Sequence, residues 1–319
     1  MELSVNRRRY WHKKDTDYSR QYLTFVALER GTFKNSNFAT QYSTDGGATW
    51  NSLAANTSSP TIAAGDKIMW KATITPTGSY GCGVFTSTCN FDVEGNAMSL
   101  LFGDNFENQT SLSGKSYAFY KMFYNNKKII NAEYLVLPAT ILSDYCYYNM
   151  FFQCTSLTAI PKLPATTLSD SCYREMFFGC TSLIVLPEDL LPSTTLAIRC
   201  YNCMFKECSS LINAPELPAT TLANFCYSQM FYGCTALTTA PVLPASTLEA
   251  SCYSWMFNSC TSLNSITCLA TDISATNCTL NWVVGVATLG TFIKAPTMTS
   301  WGRNDSNIPI LWTIQDYQE

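Results

Sequence analysis

The middle of the chain repeats one pattern five times, and this repetition limits the architectures open to the whole sequence. The prolines that open the copies are separated by 26, 28, 26 and 26 residues. A period of this length is typical of a solenoid, in which each unit buries its apolar face only by stacking on its neighbours. The copies are LPATILSDYCYYNMFFQCTSL, LPATTLSDSCYREMFFGCTSL, LPSTTLAIRCYNCMFKECSSL, LPATTLANFCYSQMFYGCTAL and LPASTLEASCYSWMFNSCTSL, with their prolines at Pro138, Pro164, Pro192, Pro218 and Pro244.

Within one copy, the spacing of the apolar residues predicts a helix. Leu168, Cys172 and Met176 recur every four residues, as does Cys180, and would share one helix face. The Thr and Ser residues before them are natural N-caps. The following segment, LTAIPKLP, is short, apolar and closed by proline, which allows only a brief strand. We therefore expect mainly an α/β solenoid whose 26-residue units are strand, turn, helix, turn.

The segments around the repeats differ in character. Strand-like runs alternate with turns ahead of the repeats, which predicts a small all-β, sandwich-like domain. The next segment keeps a Met-Phe pair but has Asn126 at a cysteine position, as expected of a degenerate capping repeat. The predicted division is a basic N-terminal arm at 1–20, the all-β domain at 21–98, an N-terminal cap at 99–134, the repeats at 135–270 and a C-terminal cap at 271–319.

Ten of the fifteen cysteines fall into two columns of the repeat. Two cysteines eight positions apart on a helix face are about 12 Å apart, too far for a disulfide, and no C-x-x-C clamp serves zinc. We expect buried thiols between units, with no metal and no cofactor. The spacing of Cys82 and Cys89 is compatible with a disulfide between them and equally with two free thiols, and both alternatives stay open.

Candidate binding residues are positions that vary between otherwise matched copies or that follow the predicted strands. Such variation indicates solvent exposure, and the strand surface of a solenoid favours extended partners such as protein strands, glycans or another subunit. The tyrosine after the first cysteine of each copy allows two interpretations, packing between units or an exposed platform. The candidates are Thr158, Lys162, Arg174, Glu175, Glu188, Asn213, Glu216, Gln229, Thr238 and Trp255.

Two motifs precede the repeats. The basic segment NRRRYWHKK is a candidate attachment arm, although a solvated tail is the alternative. STDGGATW matches the SxDxGxTW pattern of the Asp-box, a hairpin turn in which Asp45 caps backbone amides, Gly47 supplies backbone freedom and Trp50 packs beneath. The arm candidates are Arg7, Arg8, Arg9, Tyr10, Trp11, Lys13 and Lys14.

Composition disfavours several function classes. A net charge of −3 gives no basic footprint for nucleic acid. The single histidine, His12, removes Ser-His-Asp and Cys-His constellations, and no phosphate loop or EF-hand is present. Asp-boxes occur in sialidases, but Arg20 and Arg30 are the only arginines in or beside the β domain, too few for a sialidase-like arginine cluster. We expect no enzyme, no secretory signal and no membrane insertion.

The repeat units resemble the leucine-rich repeats of the bacterial surface-antigen type, seen in Treponema and Bacteroides surface proteins, over about residues 117–270. The commoner pattern of this family has roughly 23 residues per unit and an IGxxAF core. The units of this chain are longer, and CYxxMF stands in the place of IGxxAF. The outer segments YLTFVALE and WTIQD are similar to those of proteins from gut Bacteroidales and their phages. The resemblance implies a leucine-rich-repeat solenoid used for adhesion or partner binding.

These observations predict a non-enzymatic structural or recognition protein. The favoured form is a phage virion appendage or accessory protein that binds protein or cell-surface glycan in host attachment or assembly. Its arm would contact other virion proteins, and homo-oligomers are compatible with this role. The alternative is a bacterial cell-surface or secreted adhesin, and the third hypothesis is a glycan-binding or glycan-processing protein.

Overall fold

Short runs of β-branched and aromatic residues separated by turns make the N-terminal part a β structure. The structure is a computed structural model and describes residues 17–187, 189–299 and 301–318. A single 3-10 turn, Tyr18–Arg20, precedes the first strand. The strands of this part are β1 (Leu23–Ala27), β2 (Phe33–Asn35), β3 (Thr40–Ser43), β4 (Asn51–Leu53), β5 (Lys67–Lys71), β6 (Phe85–Ser87), β7 (Phe91–Asn96) and β8 (Ile129–Val136).

Six of these strands form one sheet in the order β4-β3-β5-β1-β7-β8, and β2 and β6 form a two-stranded sheet. The pairs are antiparallel except β7 with β8. Phe25 of β1 packs against Phe33 of β2 at 5.4 Å and Phe85 of β6 at 5.1 Å between ring centroids. The small sheet therefore covers one face of the large sheet, and the β core lies between them.

The described part of the repeats contains no α-helix, so the predicted helix in each unit is wrong, and so is the α/β fold class. The described chain is nearly all strand and turn; its α-helix is one short turn, α1 (Ser99–Phe102), followed by a 3-10 turn, Gly103–Asn105. In place of helices, seven segments of consecutive tight turns stack on one another. We call them turn ribbons, and they span 115–126, 143–154, 169–180, 197–208, 223–234, 249–260 and 275–286.

Backbone hydrogen bonds in a turn ribbon alternate between two directions. The N–H of Tyr148 donates to the carbonyl of Tyr145 at 3.2 Å, which closes a turn within the ribbon. The N–H of Tyr147 instead donates to the carbonyl of Cys172 in the next unit at 2.9 Å. Because the same alternation continues from ribbon to ribbon, the buried backbone is satisfied without a helix.

A left-handed residue recurs at every fourth position of each ribbon. In the ribbon 143–154 these are Tyr145, Asn149 and Gln153, with φ of 57°, 56° and 53°. L-residues rarely adopt this conformation, and an α-helix does not contain it. In each four-residue turn, two neighbouring side chains point into the core, as those of Cys172 and Tyr173 do. The spacing of four that predicted a helix is therefore the period of the ribbon.

The predicted strands form only at the ends of the stack, and proline explains why. The units between carry an additional proline in the strand segment, such as Pro161 or Pro215, and proline cannot donate to a ladder. The segments at the two ends of the stack lack this proline and form strand pairs. At the start, β8 forms a bridge to Ala159, and at the end the last three strands form a parallel sheet. These are β9 (Ser265–Cys268), β10 (Thr291–Lys294) and β11 (Thr313–Asp316).

The tyrosines after the first cysteine of each copy are buried, which confirms the packing interpretation over the exposed platform. Successive rings stack at 5.4, 5.8, 5.7 and 6.1 Å between centroids. Each side chain is at most 2% exposed. The column is formed by Tyr147, Tyr173, Tyr201, Tyr227 and Tyr253.

Both ends of the stack are closed by aromatic residues. At the start, Phe123 of the first ribbon enters the β core beside Phe25 at 5.8 Å. The amide of Asn126 donates to the carbonyl of Phe85 at 3.1 Å. At the other end, fully buried Trp282 stacks on Trp301 at 5.8 Å. The β domain thus occupies the place of a preceding unit.

The buried hydroxyl of Tyr201 generates a stability prediction. It has no hydrogen-bond partner in the described chain, and a buried unsatisfied polar group costs roughly 1–3 kcal/mol. We expect Tyr201→Phe to raise the free energy of unfolding by about 1 kcal/mol, as measured by guanidinium denaturation. Tyr232→Phe, at a partly exposed ring, is the control and should change little. A loss of stability in Tyr201→Phe would contradict the assignment.

Candidate functional site

A row of stacked, partly exposed aromatic rings crosses the outer face of the first three turn ribbons. Ring centroids of neighbouring ribbons are separated by 4.7–5.3 Å, with interplanar angles of 3–23°. Side chains of the same type recur in register because each ribbon hydrogen-bonds to the next. We call this row the aromatic strip: Tyr117, Tyr120, Tyr124, Tyr145, Tyr148, Phe152 and Phe178.

Cationic side chains lie over the rings of the strip. The ammonium of Lys121 is 4.9 Å from the centroids of both Tyr120 and Tyr124. The guanidinium of Arg174 is 5.3 Å from the centroid of Tyr148. Desolvation raises the pKa of Tyr148, so its hydroxyl remains a hydrogen-bond donor at neutral pH. The strip combines flat apolar faces, neutral hydroxyls and a few cations, a composition that suits protein and sugar ligands.

Sequence reasoning selected a different set of tyrosines and missed this strip. The buried column follows the first cysteine of each copy, whereas the strip uses the residue before that cysteine and the residues two and six positions after it. In DYCYYNMFF these are Tyr145, Tyr148 and Phe152. The signal was present as an aromatic excess at outer positions of the first copies, and because these positions are spaced by three and four residues they would share one face even of a helix.

Four of the sequence-predicted residues lie on the ribbon face. Arg174 lies over Tyr148 of the strip and forms an ion pair with Glu175 at 3.2 Å between Nε and Oε1. Gln229 accepts a hydrogen bond from the ammonium of Lys206 at 2.8 Å. Trp255 lies beyond it, beside an aromatic ring of the preceding unit at 6.4 Å. The structure therefore places Arg174 and Glu175 at the strip and the other two further along the same face.

Five predicted residues lie on the proline-bearing segments instead. Thr158 and Thr238 are exposed, and the Thr158 hydroxyl bonds a β8 carbonyl at 2.9 Å. Asn213 is structural, because its side-chain oxygen accepts a backbone N–H of the preceding unit at 3.2 Å. Lys162 and Glu216 border separate hollows of about 370 and 300 Å³. These residues do not join the first four in one site.

The remaining candidates of the solenoid and the arm lie outside the described residues. The strand-surface candidate concerned is Glu188. The arm candidates concerned are Arg7, Arg8, Arg9, Tyr10, Trp11, Lys13 and Lys14.

The predicted hairpin turn connects β3 and β4. Asp45 accepts the N–H of Thr49 at 2.9 Å, and the Thr49 hydroxyl and N–H lower the pKa of Asp45 to about 2. Gly47 has a φ of 93°. Trp50 packs edge-on against Tyr22 at 4.7 Å. These contacts are those of a structural turn, in which the carboxylate organises its own loop.

All fifteen cysteines in the sequence are buried free thiols in the structure, including Cys82 and Cys89. The second cysteine of each copy has a specific contact, because its S–H donates to a phenylalanine carbonyl of the preceding unit. Cys154 bonds the carbonyl of Phe123 at 3.0 Å, and Cys180 bonds that of Phe151 at 3.1 Å. Burial raises the pKa of Cys154 to about 12. The thiols are thus protonated packing groups.

Acidic and metal-ligating groups do not converge within the described ranges. No group of three or more His, Cys, Asp or Glu residues there is arranged to hold a metal ion. Burial raises the pKa of Asp92 to about 6, while its neighbour Glu94 is paired with Lys67 at 2.5 Å. The helices among these residues are single turns, and none reaches the length and apolarity that crossing a bilayer requires.

Comparison of the chain with protein-family models, curated proteins and solved structures finds no match. The resemblance to surface-antigen leucine-rich repeats therefore stays a prediction from the motif. Fold and site together describe a stack of mostly 26-residue turn units, closed at one end by a β domain and carrying an aromatic strip.

The burial of the thiols predicts that native cysteines resist modification. With a pKa of about 12 for Cys154, about one such thiol in a thousand is ionised at pH 9. We expect Ellman's reagent to react slowly with the native chain and to detect the thiols only after denaturation in guanidinium. Rapid, stoichiometric modification of the native chain would show that the columns open in solution.

Proposed function

We propose that this chain is a non-enzymatic recognition protein that binds a protein or glycan surface through the aromatic strip. The observation that carries the proposal is the register of the strip: its rings stack at 4.7–5.3 Å on a hydrogen-bonded scaffold. Rigid aromatic side chains lose little conformational entropy on binding and are enriched among the residues that dominate binding energy. A partner of repeating chemistry matches a surface that itself repeats.

The surface chemistry favours a weakly charged partner. Charged residues make up 13% of the sequence, about half the usual share. The cations at the strip, such as Lys121 and Arg174, already lie over aromatic faces. Neutral glycans and polar protein segments therefore fit this surface better than nucleic acid, which needs a concentrated positive charge.

We assign the protein to a phage virion, as an appendage or accessory component used in host attachment or assembly. The basic arm supports attachment to other virion proteins, and the similarity of the outer segments to phage proteins of gut Bacteroidales supports the location. The repeats are equally compatible with a bacterial cell-surface adhesin, which is the alternative. Glycan processing is not favoured, because the hollow of about 460 Å³ in the β domain is lined by one carboxylate, that of Asp104.

The strip predicts which residues the partner contacts. Tyr120→Ala with Tyr148→Ala removes one stacked pair, and we expect binding to intact Bacteroidales cells to fall at least about tenfold, because aromatic anchors contribute roughly 2 kcal/mol or more. Fluorescently labelled full-length chain is quantified on cells by flow cytometry. Phe225→Ala, an aromatic truncation on a later ribbon, is the matched control. Equal losses in both variants would contradict the assignment to the strip.

The arm predicts where the protein resides. In the full-length chain, Arg7→Ala, Arg8→Ala and Arg9→Ala together should abolish binding to isolated phage particles, because they remove three of the six Lys and Arg residues of the arm. Binding to cells should be unchanged. Particle binding that survives these changes argues against the arm as the anchor. Binding to cells alone favours the adhesin, and binding to neither would contradict both locations.

A further inference from the structure

The last layer of the stack has an open sheet edge. β11 pairs with β10 on one side, and among the described residues no strand pairs with its other side. The N–H of Thr313 donates to the carbonyl of Gly290 at 2.9 Å, so Thr313 faces the interior of the sheet. Because successive residues of a strand direct their backbone groups to opposite sides, Ile314 and Asp316 direct their N–H and carbonyl groups outward.

The side chains at this edge continue the core of the stack. Ile266 in β9, Phe292 in β10 and Ile314 in β11 lie in register as one row across the sheet. The first two are fully buried, whereas Ile314, in the last layer, is 38% exposed. Just before β11, Ile310 is 72% and Leu311 is 60% exposed. Solenoids normally end in a cap with a polar outer face, and these residues give this end an apolar surface instead.

The edge also lacks the features that usually keep sheet edges apart. Proteins protect open edges with proline, lysine or a β-bulge, and β11, with the sequence TIQD, contains none of them. Its one charged residue, Asp316, forms an ion pair with Lys294 of β10. The edge is therefore open to pairing with another strand.

A second copy of this chain fits the edge in an antiparallel arrangement. When Ile314 lies opposite Ile314 of the second copy, the outward N–H of each donates to the outward carbonyl of the other, and the two side chains meet on the core face. The same edge then serves both copies, and the assembly closes at two. Repeated stacking in one direction is blocked, because the β domain occupies the other end of the stack.

The charges near the edge are complementary in this arrangement. Asp316 of each copy falls opposite Trp312 of the other copy. The exposed guanidinium of Arg303 donates to the carbonyl of Trp312 at 2.6 Å and forms no ion pair within the described residues. A carboxylate therefore meets a cation at both ends of the pairing. A parallel pairing in register would instead place Asp316 beside Asp316, and like charges in that position are destabilising.

We propose that two copies of this chain join end to end through β11, as a two-fold symmetric dimer. The three-stranded sheets of the two copies become one continuous sheet. Ile310, Leu311 and Ile314 lie beside the joint, where contact with the second copy removes apolar surface from water. The two aromatic strips lie towards opposite ends of the dimer. The inference does not rest on the function of the strip.

The molar mass of the full-length chain in solution tests the proposal, measured by sedimentation velocity and light scattering over a range of concentrations. We expect the unaltered chain to have twice the chain mass. Ile314→Lys places like charges on the two-fold axis and should raise the dissociation constant at least about a hundredfold. Gln315→Lys adds the same charge to the same strand on its opposite face, and as the matched control it should remain dimeric.

A mixture of two variants tests the register. Ile314→Lys and Ile314→Glu should each be monomeric alone, and an equimolar mixture should recover the dimer, which also shows that both variants fold. A monomeric unaltered chain overturns the proposal and leaves the edge to a strand of a different protein. A dimeric Ile314→Lys variant, or a mixture that stays monomeric, overturns the pairing through Ile314. A mass that keeps rising with concentration indicates open-ended stacking and overturns the closed dimer.

Discussion

Backbone hydrogen bonds between neighbouring turn ribbons are the interaction on which the rest of the structure depends. Within a ribbon, the tight turns satisfy only every second N–H, and the others need carbonyls of the next unit, as Tyr147 needs that of Cys172. A single ribbon would form only half of these backbone bonds internally and would expose its apolar face to water, so no isolated unit of this size is stable. Stacking is therefore obligatory, and the insertions that lengthen two of the units lie outside the ribbons.

The same hydrogen bonds align side chains into columns, and each column has a reason for its residue type. Tyrosine rings fill the space between units by parallel stacking. The second cysteine is small enough to fit and donates its S–H to a carbonyl, as Cys180 does to Phe151. Where the first ribbon has Asn126, the amide makes the equivalent bond to Phe85 of the β domain. A stack ordered in this way holds its outer aromatic rings in place before a ligand arrives, which lowers the entropy lost on binding.

The period of the stack, the cysteine and tyrosine columns and the β character of the first domain follow from the sequence. The ribbon does not, because buried residues four apart fit a helix nearly as well over the nine residues from Cys172 to Cys180. What distinguishes the ribbon from a helix is the left-handed backbone at positions such as Tyr145 and Glu175. Tyrosine or glutamate at such a position does not indicate a left-handed conformation. The absence of strands from the middle units was easier to predict, because a proline inside each of their strand segments removes a hydrogen-bond donor from the ladder. The strip was also predictable, because Tyr145, Tyr148 and Phe152 would share one face even of a helix.

The junction between the β domain and the stack makes the aromatic strip part of one packed body. Phe123 of the first ribbon packs into the β core beside Phe25, and Tyr117 of the same ribbon begins the strip. The first rings of the strip are therefore fixed by the β domain as well as by the ribbons. Because charged residues make up only 13% of the sequence, the surface has few charges to steer or hold a partner. Its affinity then has to come from several weak contacts made at once, which a partner of repeating chemistry supplies along a rigid strip.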